Sequence, residues 1–327
     1  MSLNLPFITL EEHVFTKFMW DKYDEGAKRG MAARDPKVQE RLLDIGDDRI
    51  AVLDANSIQT QILSHIPCHP SRQDMQRIND ELHQMKKKRP GRYEVFACLS
   101  LNDPAEAAEE LERCVKDLGF VGALFPNTLD DGTFYDTPRF YPLYEKAQEL
   151  DVPLYLHPIF PTPEVSKLLF DGPYPKPTAI QIGAWCYGWH ATVAIHILRL
   201  FGSGIFDKYP GLKLIIGHMG ETLPFMLDRI IPQTANWPGA SERKKELRQV
   251  WDENIWVTTS GMFALGPMEC LLRTTKIDRI LYSVDYPLED NADGLRFMTE
   301  LRGSGLVSEE DFHKIAYKNA KNLLRLE

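Results

Sequence analysis

Short apolar runs alternate along the chain with longer stretches in which apolar side chains return every three or four positions. The runs are FITLEEH (7–13), TQILS (60–64), EVFACLS (94–100), VGALF (121–125), PLYLH (153–157), LKLIIGH (212–218), NIWVTTS (254–260) and RILYSVD (279–285). Rich in β-branched and aromatic residues, they read as strands buried on both faces. Residues 72–89, 104–117, 138–150, 190–207, 221–232 and 264–274 read as helices, with Asp103 and Pro104 opening the second. Strand and helix alternating in this way predict a (β/α)8 TIM barrel of the α/β class, formed as one domain over residues 1–327. Two insertions exceed a minimal barrel: 158–189 after the fifth strand, rich in Pro and aromatic residues, and 233–250 after the sixth. Their apolar content predicts lids or subunit contacts. Residues 308–326 read as C-terminal helices, the first opened by Ser308 with Asp311 three positions on.

Composition narrows the setting. Acidic residues outnumber basic ones 47 to 38, so the average surface repels nucleic acid and anionic membranes. Lys86, Lys87, Lys88 and Arg89 read as a solvated helix end rather than a binding patch. The 5 cysteines (Cys68, Cys98, Cys114, Cys186, Cys270) are scattered without CxxC spacing, which suits free thiols in a reducing compartment. The N-terminal stretch lacks the basic start and apolar core of a signal peptide, and no run is long enough to span a bilayer; a cytoplasmic location is expected.

The strand ends carry the chemistry. Glu11 and His13 are two apart on the first strand, so both point to one side while Glu12 points away. His157 closes the fifth strand before Pro158, and Asp285 closes the eighth before Pro287. Taken singly, each suits a hydrogen-bonded core residue or a turn. Gathered at one rim, they supply two imidazoles and two carboxylates for one divalent ion, with coordination positions left for substrate or water. His218 ends the sixth strand, and Gly217 and Gly220 permit a tight turn that brings Glu221 back to it, forming a dyad suited to acid/base work. A fourth metal ligand or a polar cluster at a helix start are the other readings of that pair. Arg229, eight residues beyond Glu221, is either an anion clamp or a surface partner of Asp228. His65 and His69 can line the rim, His196 reads as a satisfied core residue, and His190, His83 and His313 carry less.

Read together, LEEH (10–13), FYDTPRFYPLYEKAQELDVPLYLHP (134–158), GIFDKYPGLKLIIGHMGETLPFMLDRI (204–230), ENIWVTTSG (253–261), DRILYSVDYP (278–287) and NAKNLL (319–324) resemble the metal-dependent decarboxylases of the amidohydrolase superfamily, in particular the γ-resorcylate and 2,3-dihydroxybenzoate decarboxylase group. The resemblance runs nearly end to end. It implies a barrel in homodimers or homotetramers, and Zn2+ or Mn2+ held by Glu11, His13, His157 and Asp285. It also implies a His218–Glu221 dyad and a place for Arg229 near the substrate carboxylate. The fourth strand ends VGALFPN, without the lysine that bridges two metals in binuclear members of the superfamily. The implied reaction is loss of CO2 from a hydroxylated aromatic acid, with Asp285 protonating the carboxylate-bearing carbon. Departures from the family pattern fall at Ile159, Phe160, Thr192 and Leu288. Ile159, Phe160 and Leu288 are the expected substrate contacts and imply a more apolar pocket.

Two other functions fit parts of this pattern. A lactonase-type hydrolase on the same barrel would use Asp285 as a base, although hydrolases more often begin with HxH. A non-catalytic barrel that binds small anions would need no stoichiometric metal.

Overall fold

The computed structural model describes residues 5–23, 28 and 35–326; residues 1–4 of the N-terminal stretch lie outside them. The strands are β1 (Phe7–Val14), β2 (Ile58–His65), β3 (Tyr93–Val95), β4 (Ala97–Cys98), β5 (Ala123–Pro126), β6 (Leu154–His157), β7 (Leu214–Ile216), β8 (Ile255–Thr258) and β9 (Ile280–Leu281). Each overlaps one of the eight apolar runs. The run 94–100 is the one that splits, with β3 pairing with β2 and β4 with β5 on either side of Phe96. All the pairings are parallel, as a barrel with helical crossovers requires.

The two ends of the sheet meet through Glu12. Its carboxylate accepts from Ser283 Oγ (3.2 Å), Val284 N (3.0 Å), Tyr286 N (3.2 Å) and Gln61 Nε2 (3.2 Å). Ser283 Oγ in turn accepts from Glu11 N at 2.8 Å, and His13 N donates to Tyr286 O at 2.6 Å. Glu12 does point away from its neighbours Glu11 and His13, yet it is fully buried and straps the first strand position to the last. Burial pushes its carboxyl up to about 8, against the Val284 N–H and the Arg49 guanidinium.

The helices follow the sequence pattern closely. Arg72–Lys88 is capped by the Ser71 side chain, Pro104–Lys116 by Asp103, and Glu309–His313 by Ser308. The expected 221–232 helix becomes two pieces, His218–Glu221 and Leu223–Thr234, and 190–207 becomes Gly188–Gly202 and Ile205–Lys208. The 158–189 insertion folds into helices Pro163–Leu169 and Lys176–Gln181 followed by a π-turn at Ile182–Cys186. Sequence periodicity missed the short helices between β1 and β2, Lys17–Lys22, Val38–Leu43 and Asp47–Ala55. The core runs continuously through the strands and the inner faces of the helices. No helix among the described residues is long and apolar enough to cross a membrane.

Candidate active site

The cage is built from strand ends. Thr9 pairs with Gln61 and Glu12 with Leu63, so Leu10 and Glu11 together stand opposite Ile62 alone. A bulge of this kind re-aims side chains, and here it leaves Glu11 and His13 facing the same point. One ligand atom from each of Glu11, His13, His157 and Asp285 lies within 4.8 Å of all the others. His157 Nε2 is 3.1 Å from Glu11 Oε1, and His13 Nε2 is 3.3 Å from Asp285 Oδ1.

The outer atoms of His157, His13 and Glu11 are held by the protein. His157 Nδ1 donates to Pro158 O at 2.7 Å, which leaves the Nε2 lone pair facing the carboxylate. His13 Nδ1 meets Ser64 Oγ at 3.1 Å. Glu11 Oε2 accepts from the Tyr155 hydroxyl, which also meets Thr258 Oγ1 at 2.7 Å. By contrast, Glu11 Oε1, His13 Nε2 and Asp285 Oδ1 are buried without a hydrogen-bond partner. Orphaned buried acceptors are costly. Three of them converging from the first strand and from the end of the last fit a divalent cation, whose charge two carboxylates neutralise.

The protonation directions of His13 and Glu11 agree with this. Burial lowers His13 to about 4, which keeps its imidazole neutral and able to donate a lone pair. Burial pulls Glu11 upward, but the His218, His157 and His13 imidazoles outweigh it and hold the carboxyl well below its usual range. Asp285 is raised to about 8 by burial and by repulsion from Glu11.

Beside the cage, His218 Nδ1 is 2.8 Å from Glu221 Oε1, and its Nε2 is 4.0 Å from Glu11 Oε1. Burial opposes charge on His218, yet Glu221 and Glu11 prevail and raise it to about 10; Glu221 is correspondingly lowered to about 2. The pair is an imidazolium held by a carboxylate. The backbone that presents it is strained: His218, Met219, Gly220, Glu221 and Thr222 all have positive φ, as does Asp285 at 77°. Such conformations cost about 1–3 kcal/mol at each non-glycine position and persist where packing enforces them. Gly217 is needed for a different reason, since a Cβ there would lie 2.9 Å from Glu11 Oε2.

The remaining expected residues divide. Ile159 is half-buried; Phe160 is 45% exposed, with its ring centroid 5.1 Å from Trp189 and 6.2 Å from Trp185. Leu288 is half-buried in the turn after Asp285 and packs against the core. Arg229 does not join the site within this chain. Helix Leu223–Thr234 buries Leu223 and Leu227, which turns Arg229 outward into solvent.

Sequence reading missed three residues. His190, given little weight, lies with Nδ1 2.6 Å from Glu221 Oε2, so that carboxylate is held between two imidazoles. Trp189 stands over His157, with centroids 6.5 Å apart. Tyr155 precedes His157 by two positions on one strand, and strand periodicity could have found it. Nothing local marks His190, because its partner is 31 residues away.

Comparison with known proteins bears on this arrangement. The amidohydrolase family pattern matches residues 21–326. The decarboxylase orsB of Emericella nidulans is 43% identical over 98% of this chain and 97% of its own. The γ-resorcylate decarboxylase of Polaromonas sp. is 40% identical, covering 89% of this chain and 90% of its own. Among solved structures, a dihydroxybenzoic acid decarboxylase from Polaromonas sp. JS666, with bound manganese and the inhibitor 2-nitroresorcinol, superposes with a TM-score of 0.85 at 35% identity. That match covers 98% of this chain and 97% of the other. The chain therefore belongs to the amidohydrolase family, in the group that holds the γ-resorcylate decarboxylases.

Proposed function

We propose that this protein is a non-oxidative decarboxylase of hydroxylated aromatic carboxylic acids, dependent on one divalent ion, Mn2+ or Zn2+, held by Glu11, His13, His157 and Asp285. The observation that carries the reading is the convergence of three buried, unpartnered donor atoms beside a His218–Glu221 pair. The decarboxylase relatives support it, including a solved 2,6-dihydroxybenzoate decarboxylase with 2,6-dihydroxybenzoate bound.

Held by Glu11, His13, His157 and Asp285, a divalent ion would supply Lewis acidity toward an anionic substrate. Asp285, buried at the end of the last strand, delivers a proton to the carboxylate-bearing ring carbon. The bond to the carboxylate then breaks, its electron pair returns to the ring, and the carboxylate leaves as CO2. Asp285 recovers its proton from solvent. The His218 imidazolium, fixed by Glu221, faces the ring oxygen and stabilises its negative charge. Phe160, Trp185 and Trp189 form one aromatic wall beside the cage, with Ile159 next to it in sequence. Leu288 lines the turn after the acid.

Arg229 shares the exposed helix face of Phe225 and Met226, which are 82% and 40% exposed. Together with Leu168 and Leu169 of the insertion, this surface favours a homodimer or homotetramer. Free thiols, Cys186 among them exposed, fit the cytoplasm.

The test is a panel of ortho-hydroxybenzoates and of lactones incubated with the Mn2+- or Zn2+-loaded protein. Equimolar CO2 and decarboxylated arene are expected, abolished by a chelator and restored by metal. Lactone opening with no CO2 from any acid would assign the barrel to hydrolysis instead. Failure to bind stoichiometric metal would leave a non-catalytic anion binder.

A further inference from the structure

A second cluster of donors lies at the same rim, outside the cage. His65 ends β2, Cys68 follows in the next loop, and Cys98 ends β4. One ligand atom from each lies within 4.8 Å of the other two. His65 and Cys98 are 2% and 4% exposed, and Cys68 is half-buried.

The distances are those of a thiolate and imidazole pair. Cys68 Sγ is 3.7 Å from His65 Nδ1. A tetrahedral zinc with bonds of about 2.3 Å to sulfur and about 2.0 Å to nitrogen holds such atoms about 3.6 Å apart. The scaffold is fixed from behind, since the buried Asn79 side chain accepts from Cys98 N at 2.8 Å and donates to Cys98 O at 3.0 Å. A fourth donor is near at hand in sequence. His69 Nε2 donates to Thr128 O at 2.8 Å, which leaves its Nδ1 lone pair buried and without a partner. The hydrogen bond from Cys98, with the His65 imidazole beside it, also holds the Cys68 thiol below the usual thiol range.

The geometry points to a second metal site in this chain, a soft-ion site in which the Cys68 and Cys98 thiolates and the His65 imidazole bind one Zn2+-class ion, with His69 or water in the fourth position. Binding releases the remaining thiol protons to solvent and changes no oxidation state. The two thiolates balance the dication. The ion competes with the Ile66 carbonyl, 2.8 Å from His65 Nδ1, for that nitrogen; the ring proton moves to Nε2, which faces Thr16 Oγ1 at 3.5 Å. Sulfur donors select soft ions, whereas the oxygen and nitrogen donors of the cage accept hard ones. The protein thus carries a cage suited to manganese and a thiolate site suited to zinc or cadmium.

The experiment titrates the manganese-loaded full chain, in a Cys186→Ser background, with Cd2+ under thiol-free reducing conditions. Ultraviolet thiolate-to-metal charge transfer and bound metal are read together. None of the cage donors is sulfur, so the band reports cysteine thiolates, and its loss in the Cys68 and Cys98 variants assigns it to this cluster. One equivalent of Cd2+ per chain is expected to saturate the band. Cys68→Ser, altered in a loop, and Cys98→Ser, altered in the core, should each reduce it by half or more while manganese stays bound. The site is refuted by absence of the band, by its persistence in both variants, or by recovery of Cys68 and Cys98 as a disulfide from reduced protein.

Discussion

The cage and the insertion adjoin at His157 and obey different rules. His157 ends β6 and is 5% exposed, while Phe160, three residues on, is 45% exposed and Leu168 80%. On the strand side three of the four donors have the outer atom tied, His157 to Pro158, His13 to Ser64 and Glu11 to Tyr155. On the insertion side contacts are between rings, Phe160 with Trp185 and Trp189. On the function proposed above, reaction chemistry belongs to rigid strand ends, and substrate choice to a segment that can vary without disturbing them. Substitutions in the first region should lower kcat, and those in the second should move KM.

The sharpest way to break that division is Asp285→Asn. It removes both a ligand and the proton donor, and kcat/KM for a responsive ortho-hydroxybenzoate is expected to fall about 10³-fold or more. Chelation should abolish the wild-type activity and lower the melting temperature, because an ion bound only by the folded state stabilises it. An Asp285→Asn enzyme that keeps full activity after chelation would remove the cage from the reaction altogether.

Glu221→Gln comes next, with an expected loss of about 10²-fold in kcat. Its pH profile tells more than its rate. Glu221 raises His218 above the ordinary imidazole range, so an alkaline limb that belongs to His218 depends on that carboxylate. Removing the carboxylate charge lowers the His218 pKa, and the limb should move to lower pH. A limb that stays in place assigns it to another group. His190→Gln should act in the same direction more weakly, about 10-fold in kcat, since it leaves the Glu221 charge and takes away one of its holders. A change confined to KM would move His190 to the substrate side.

How much of this was legible in the sequence depends on how far apart the partners lie. Glu11, His13, His157, His218 and Asp285 each end an apolar run, and the period-two rule together with barrel topology brings them to one rim. Glu221 was readable because the turn is short and Gly220, at φ 88°, permits it. His190 meets Glu221 across two elements, and Cys68 meets Cys98 across two strand positions, so spacing along the chain carries no trace of either. Arg229 teaches the converse. Motif resemblance placed it near the substrate, but the helical phase set by Leu223 and Leu227 turns it away. The break of the 94–100 run at Phe96 is likewise a matter of which neighbour each half pairs with, which no single-strand pattern encodes.

The smallest expected effect probes the insertion. Phe160→Ala removes one ring from the aromatic wall and touches no donor of the cage. Because Phe160 is partly exposed already, only part of its apolar area is lost to a bound ring, a cost of about 1 kcal/mol. That corresponds to about a five-fold rise in KM with kcat and metal content unchanged. Phe160→Leu, which keeps apolar bulk without the ring face, should fall between the two. A fall in kcat with KM fixed would mean that the wall orients the carboxylate for protonation, and the boundary between chemistry and recognition would then move past His157 into the insertion itself.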